Sequence, residues 1–440
     1  MAYQDHYQAY LEAIPVRKEQ CKSSGQRLCF GYTSDLDILI QWDVDVFNGI
    51  LDEYLHEEPS TKEGETIDSM ASFARIVSYY AIHGLGGEID ISDEGVCTEL
   101  EKRFITKPGL GGTCAQGAAA LGAIEIPLIA HITDKSKPVC ELLDYEGVET
   151  ISPQGERIPV QQAATEASPV RHMILQFSKG DVLRIRGEEK IVPLSNRLIM
   201  DYDFIHKIMP VDPSFLHYIE AHSSKIYSYN ISGFNAIIDA EIMKKKLAEL
   251  NEHYRIIKQH NPACKIYFES AHYLNSQIRQ MVFEGVSQYA DILGVNEEEL
   301  VDFAEKMRFE VDKEDLESVL HALAHIIQQY DVQGIVMHTK DYSLYFGNRM
   351  DGVDIEMGLT LGNLLSGTRA RTGRYGSLKD CKESLALALS ETGARFAEEL
   401  ETMKLDHYAC LVPSRYLEHP TCTIGLGDTF VAGMQICFMQ

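Results

Sequence analysis

None of the ten cysteines is arranged as CxxC, and the closest two in sequence are Cys21 and Cys29. Ten thiols spread over 440 residues are too dilute for a disulfide scaffold, and their pattern excludes a paired-cysteine metal site. Buried thiols in a reducing cytoplasm are expected. Apolar runs long enough to span a bilayer are missing, because the longest, 117–132, is broken by Glu125 and Pro127. Asp5, His6, Glu12 and Arg17 interrupt the first twenty residues, unlike a signal peptide. Basic residues are scarce, 40 against 66 acidic ones, for a formal charge of −26. A field of that sign repels phosphate backbones and anionic lipid, so neither nucleic acid nor a membrane surface is an expected partner. Also missing are a GxxxxGK[ST] P-loop, the HRD…DFG pair of protein kinases, a GxGxxG dinucleotide turn and an HExxH metal motif. There is no internal repeat, heptad array or low-complexity tract.

Hydrophobic residues make up 45% of the chain and charged residues 24%, enough apolar material for a packed core. At ~150 residues per domain, the length suggests two or three folding units. Short apolar, β-rich runs at 27–31, 127–133, 172–177, 265–270, 291–295 and 334–339 read as strands. Helical periodicity falls between them, at 238–260, 297–307, 316–330 and 379–404. This alternation predicts an α/β fold with a mainly parallel sheet flanked by helices. Two stretches break the rhythm: acidic 41–109 and the turn-rich region 143–202. Either suits an insertion forming a smaller layer beside the main sheet.

The segment Thr423-Ile424-Gly425-Leu426-Gly427-Asp428-Thr429 carries the most chemistry. Two glycines open a helix with Asp428 in its first turn. Free backbone N–H groups at such a turn, reinforced by the helix dipole, form an anion hole. An ionised Asp428 there can take a proton from a hydroxyl aimed at phosphorus. On local pattern alone, a plain helix cap after a tight turn reads equally well.

Gly425-Leu426-Gly427-Asp428 resembles the GxGD signature of ribokinase-like sugar kinases. From about Gly31 to Gly433 the chain resembles, in order, the ADP-dependent glucokinase and phosphofructokinase family within that group. The resemblance implies a ribokinase-like large domain and a smaller β-rich lid. The large domain would take 1–40, 110–171 and 203–440, and the lid 41–109 and 172–202. It implies phosphoryl transfer from ADP to a hexose or hexose phosphate with Mg²⁺, in a cytoplasmic enzyme that is a monomer or small homo-oligomer. Asp428 would be the base, Gly425, Leu426 and Gly427 the anion hole, and Arg197 the clamp on the transferred phosphate.

Asn296-Glu297-Glu298-Glu299 resembles the family's NxxE metal motif, although on local pattern alone Asn296 and Glu299 read first as a helix capping box. Glu269 would be a third oxygen donor near the metal; Tyr267 stands where many members carry a histidine. Asp35 and Asp37 resemble the family's N-x-D sugar contact, with Asp35 in place of Asn. Gly111 and Gly112 would let the sugar ring approach backbone, and His172 resembles a sugar-contacting histidine. His338 and Thr339 are expected near the nucleotide.

Gly86-Gly87-Glu88 resembles the stretch where glucose-specific members carry a glutamate and phosphofructokinases a small residue. That favours glucose over fructose 6-phosphate, with Lys179 and Arg184 as the opposing candidates for a phosphate pocket. An ATP-dependent sugar or nucleoside kinase, or a non-catalytic sugar or nucleotide sensor on the same fold, is the alternative reading.

Overall fold

The computed structural model describes residues 3–62 and 64–439. Along the chain the strands are β1 (Arg27–Gly31), β2 (Asp35–Ile40), β3 (Gly87–Asp90), β4 (Thr106–Gly111), β5 (Leu128–Ala130) and β6 (Val148–Ile151). There follow β7 (Arg157–Pro159), β8 (Arg171–Phe177), β9 (Val182–Ile185), β10 (Glu188–Ile191), β11 (Asn196–Tyr202) and β12 (Ile226–Ile231). The last five are β13 (Lys265–Glu269), β14 (Ile292–Asn296), β15 (Gly334–His338), β16 (Tyr342–Gly347) and β17 (Tyr408–Pro413).

Ten of them form one sheet in the order β17-β16-β15-β14-β13-β12-β1-β5-β6-β7. Its inner pairs are parallel, and β15–β16, β16–β17 and β6–β7 are antiparallel. Helices cover both faces, so strands such as β12 are buried along their whole length, as continuous apolar runs require. The Leu316–Tyr330 helix shows how the cover is made. Leu316, Val319, Leu320, Leu323 and Ile326 form its buried stripe, and Asp315 caps its first turn.

The second sheet has five strands, β3-β11-β8-β2-β4. The helices Val44–Tyr54, Met70–His83 and Glu94–Arg103 belong with it through Phe47, Phe73, Val77 and Leu100, which share a core with Ile38, Met173 and Leu198. This differs from the sequence expectation at its boundaries, and the start of the 143–202 stretch supplies β6 and β7 to the large sheet instead. Asp35–Ile40, assigned there to the large unit, is the strand between β8 and β4, and the pairing continues to Gly111. The small layer therefore begins at 35 and its first part ends at 111. The predicted 379–404 helix is two helices, Leu378–Ser384 and Glu391–Thr402, because Ser390 turns its hydroxyl to the Gly393 N–H and starts a new one.

The Leu426–Gln435 helix packs backbone to backbone on the Ile355–Thr372 helix. A Cβ on Gly433 would stand 2.6 Å from the Gly362 nitrogen, and one on Gly362 would stand 2.6 Å from Phe430. These contacts fix where the Gly425 turn sits. No helix among the described residues is long and apolar enough to cross a membrane.

Candidate active site

The parallel strands end side by side, at Glu269, Asn296 and His338, with Glu269 paired to Gly294 and Asn296 to His338. Strand C-termini are where open α/β sheets bind ligands. The turn before the Leu426–Gln435 helix meets them there. Gly425 has φ 66°, and no side chain caps the helix start. Its first amides are therefore available to an anion, which local pattern left undecided against a capped turn.

Asp428 is half-buried in the first turn. Burial raises its carboxyl above the usual range; a Thr113 hydrogen bond and the charges of Arg369 and His338 pull it back. Beside the turn lies a cavity of about 570 Å³ lined by Asn296, Glu297, His338, Thr339, Gly367, Leu426, Gly427 and Phe430, among others. His338 lies over the Phe430 ring, with centroids 4.9 Å apart.

Asn296 and Glu299 form the capping box that their sequence allowed. Asn296 Oδ1 accepts from the Glu298 and Glu299 amides at 2.9 Å, and Glu299 Oε2 accepts from the Asn296 amide at 3.1 Å. The cap does not exhaust Glu299, whose carboxyl is pushed up to about 7 by burial and by the Glu269 charge. Tyr267 is wholly buried, and an imidazole still reaches Glu269: His338 Nε2 lies 2.8 Å from Glu269 Oε1. The other oxygen, Oε2, is buried without a hydrogen-bond partner.

The small sheet brings a cluster to the same end. Asp37 on β2, His172 on β8 and Asp201 on β11 are cross-strand neighbours. His172 Nδ1 is 3.1 Å from Asp35 Oδ1 and 3.9 Å from both Asp37 and Asp201; its Nε2 is 3.6 Å from Asp203. A Cβ on Gly111 would overlap Asp35 Oδ1 and stand 2.6 Å from Asp37 Oδ1, so only glycine fits beneath these carboxylates. Gly112, at φ 80°, turns the chain into the Thr113–Ala123 helix. Burial works against protonating His172, but the surrounding carboxylates outweigh it and hold it above its ordinary value. Burial first, and then the charges of neighbouring carboxylates, push Asp37 well up and take Asp201 to about 7, against the opposing pull of His172. Asp35 Oδ1, Asp201 Oδ1 and His172 Nε2 are buried with no hydrogen-bond partner.

Between the two layers runs a cleft of about 680 Å³. Gly86, Gly87, Glu88, Gln176 and Arg197 line one wall, and His272, Leu274 and Thr423 the other. Thr423 also lines the cavity beside the glycine turn, so the two spaces meet at that residue. Arg197 is exposed on β11, at the mouth rather than inside the carboxylate cluster. Lys179 and Arg184 do not line the cleft, and Arg184 pairs with Asp52 at 3.2 Å.

The conserved region described as ADP-specific phosphofructokinase/glucokinase matches residues 26–436. The chain belongs to that family of ADP-dependent sugar kinases. It is 22% identical over 446 residues to the ADP-specific phosphofructokinase of Pyrococcus furiosus, covering 93% of this chain and 96% of that one. It is 23% identical over 374 residues to the ADP-dependent glucose/glucosamine kinase of Pyrococcus abyssi, covering 79% of each. The solved structure of an ADP-dependent kinase in complex with fructose 6-phosphate and ADPβS has the same fold, with a TM-score of 0.75 at 18% identity. That match covers 100% of this chain and 98% of the other.

Sequence reasoning missed Asp201, Asp203 and His206. His206 Nδ1 sits 2.7 Å from Asp203, and its Nε2 is 2.8 Å from Thr133. Asp201 and Asp203, two residues apart where β11 ends, carry the signal, since alternate residues of a strand share one face; His206 comes from the turn that follows. It also missed Gln116, which lies under the glycine turn.

Proposed function

We propose that the protein transfers the terminal phosphoryl group of ADP to a hexose hydroxyl, with Asp428 as general base. The observation that carries this reading is Asp428 in an uncapped helix turn that borders a strand-end cavity, with the carboxylate cluster of the small sheet on its other side. The sugar hydroxyl gives its proton to Asp428 as its oxygen bonds to phosphorus. The bond from phosphorus to the bridging oxygen breaks, and AMP leaves. Phosphoryl transfer asks mainly for positioning and charge stabilisation, and the Gly425–Asp428 amides supply both. Arg197, at the cleft mouth on the small sheet, would reach the transferred phosphate as the lid closes.

The cluster of Asp35, Asp37, His172 and Asp201 would hold the sugar. Its carboxylate oxygens suit the hydroxyls of a neutral ring, with His172 held among them by its ion pairs. The donor set near Glu269 fits magnesium: hard oxygens of Glu269, Asn296 and Glu299, one of them buried without a partner. Bound there, the ion would neutralise charge on the phosphates.

Glucose is the favoured acceptor, because the Glu88 carboxylate on the cleft wall repels a sugar phosphate. Fructose 6-phosphate is the second reading. It is supported by Arg197 on the cleft wall and by the name of the Pyrococcus furiosus relative. A coupled assay of kcat/KM with both sugars, each with ADP and with ATP, tests the proposal. Turnover with ADP and glucose above the other pairs is expected. Higher kcat/KM with ATP removes the donor assignment, and no turnover with any pair removes the enzyme reading in favour of a sensor.

A further inference from the structure

In sequence, 367–374 is a basic stretch that resembles a family stretch of similar character and reads equally as a solvated loop. In the structure its first part is the last turns of the Ile355–Thr372 helix, and Arg369 is only 7% exposed. Nε of Arg369 donates to the Ile424 carbonyl at 2.9 Å, and Nη2 donates to Gln116 Oε1 at 2.8 Å. Nη1 is buried without a hydrogen-bond partner. The Tyr375 ring covers the guanidinium at 4.1 Å.

Ile424 immediately precedes the anion-hole turn. Gln116 belongs to the Thr113–Ala123 helix, whose first residue bonds Asp428. One side chain thus joins three helices at the place where phosphorus would sit. Contact with the turn is direct: a Cβ on Gly425 would overlap Gln116 Oε1 and stand 2.9 Å from Arg369 Nη2. Both bonds of Arg369 go to neutral oxygens, and no carboxylate forms an ion pair with it among the described residues. Without an ion pair of its own, its charge acts on Asp428 and lies buried behind a helix start that already favours anions.

We infer that Arg369 is a positioning residue of phosphoryl transfer, holding the Gly425 turn in shape and keeping a permanent positive charge behind the anion hole. The inference rests on the kinase reading above. A guanidinium is suited to both tasks, since its planar fork fixes two acceptors and its charge persists at every working pH.

The test is steady-state kinetics on Arg369→Met, Arg369→Lys and Gln116→Leu, with circular dichroism and melting temperature measured in parallel. Folded Arg369→Met should lose about 10²-fold in kcat while the sugar KM stays within about threefold, because the sugar cluster is untouched. Arg369→Lys, which keeps the charge, should recover about tenfold of that loss. A purely structural arginine predicts a lower melting temperature with unchanged kcat per folded molecule, and that result overturns the inference. So does a lysine variant no better than methionine. If Arg369→Met does not fold, Gln116→Leu decides: a kcat fall of about tenfold supports the inference, and kcat within about threefold of wild type overturns it. Wild-type protein inert with ADP and both sugars removes the kinase reading itself, and shows this before any variant is compared.

Discussion

His338 Nε2 meets Glu269 Oε1 at 2.8 Å across an intervening strand. The two residues end β15 and β13, and β14 between them offers Gly294 where the Glu269 carboxylate passes. A Cβ on Gly294 would overlap Glu269 Oε2 and stand 2.5 Å from Tyr267 Oη. The pair therefore exists because one position of β14 has no side chain. Gly294→Ala should cost about 1–3 kcal/mol of stability, the usual range for overpacking a filled interior. It should also raise the magnesium concentration for half-activity by displacing Glu269. Urea unfolding and a metal titration check both, and an unchanged midpoint with an unchanged titration would show that the carboxylate does not depend on this gap.

Asp428→Asn should fold as the wild type does and lose about 10²–10⁴ in kcat, the contribution of a positioned general base. Burial raises the Asp428 carboxyl, so the base is ionised only above that raised value. The acid limb of kcat/KM in the wild type should accordingly lie above the ordinary aspartate range near ~3.9. Residual kcat above about a tenth of wild type would falsify the base assignment and return Asp428 to a helix-start role.

Glu299 couples the metal reading to stability. Its carboxyl is pushed up to about 7 from 4.5, chiefly by burial. A raised folded-state value means the native protein prefers the protonated form. That preference stabilises the fold fully below the ordinary value and is lost as pH rises through about 7. Glutamine keeps the capping-box contact and cannot ionise. Without metal, Glu299→Gln should match wild type at low pH and exceed it at pH ~8, by on the order of 1–2 kcal/mol once partial exposure is allowed for. Added Mg²⁺ should then stabilise the wild type more than the variant. Equal urea midpoints at both pH values, with equal metal response, sink the idea.

Half of the large sheet was legible: β1, β5, β13, β14 and β15 leave short apolar runs, and 27–31 and the 316–330 helix were read to the residue. The strands β6, β7, β12, β16 and β17 were not read, β12 because Ser228 and Asn230 interrupt its apolar pattern. Asp35–Ile40 escaped notice for a similar reason. Its two aspartates look like a loop corner, yet both are buried, because they turn into a cluster with His172. The glycine turn was legible as a helix start since that signal is local, while its role came from the resemblance. Arg369 was not, because its partners, Gln116 and Ile424, lie 253 and 55 residues away, and a helix end with three arginines reads as surface. The Glu269–His338 bond shows the same limit. Sequence registers a missing histidine two residues before Glu269, while the fold brings one from β15.

The proposed acceptor preference turns on Glu88. It sits on β3 opposite Ile199, on the cleft wall that also carries Arg197, and its charge adds to the forces raising Asp201. A carboxylate there can accept hydrogen bonds from a neutral sugar, and it repels the dianion of a sugar phosphate without any steric clash. The cations that could offset it are elsewhere: Arg184 is paired with Asp52, and Lys179 does not line the cleft. Among the described residues that line that wall, Arg197 is the cation placed to favour a sugar phosphate, and it faces the Glu88 carboxylate. Wild type should therefore turn over glucose with the higher kcat/KM. Glu88→Ala should lower that value about tenfold through lost hydrogen bonds, and raise the value for fructose 6-phosphate by a similar factor as the like charge disappears. Measuring both sugars in both proteins decides the matter. A wild type that prefers fructose 6-phosphate, with a preference that Glu88→Ala leaves alone, would mean that Arg197 governs the cleft and that Glu88 is only an acidic residue on its rim.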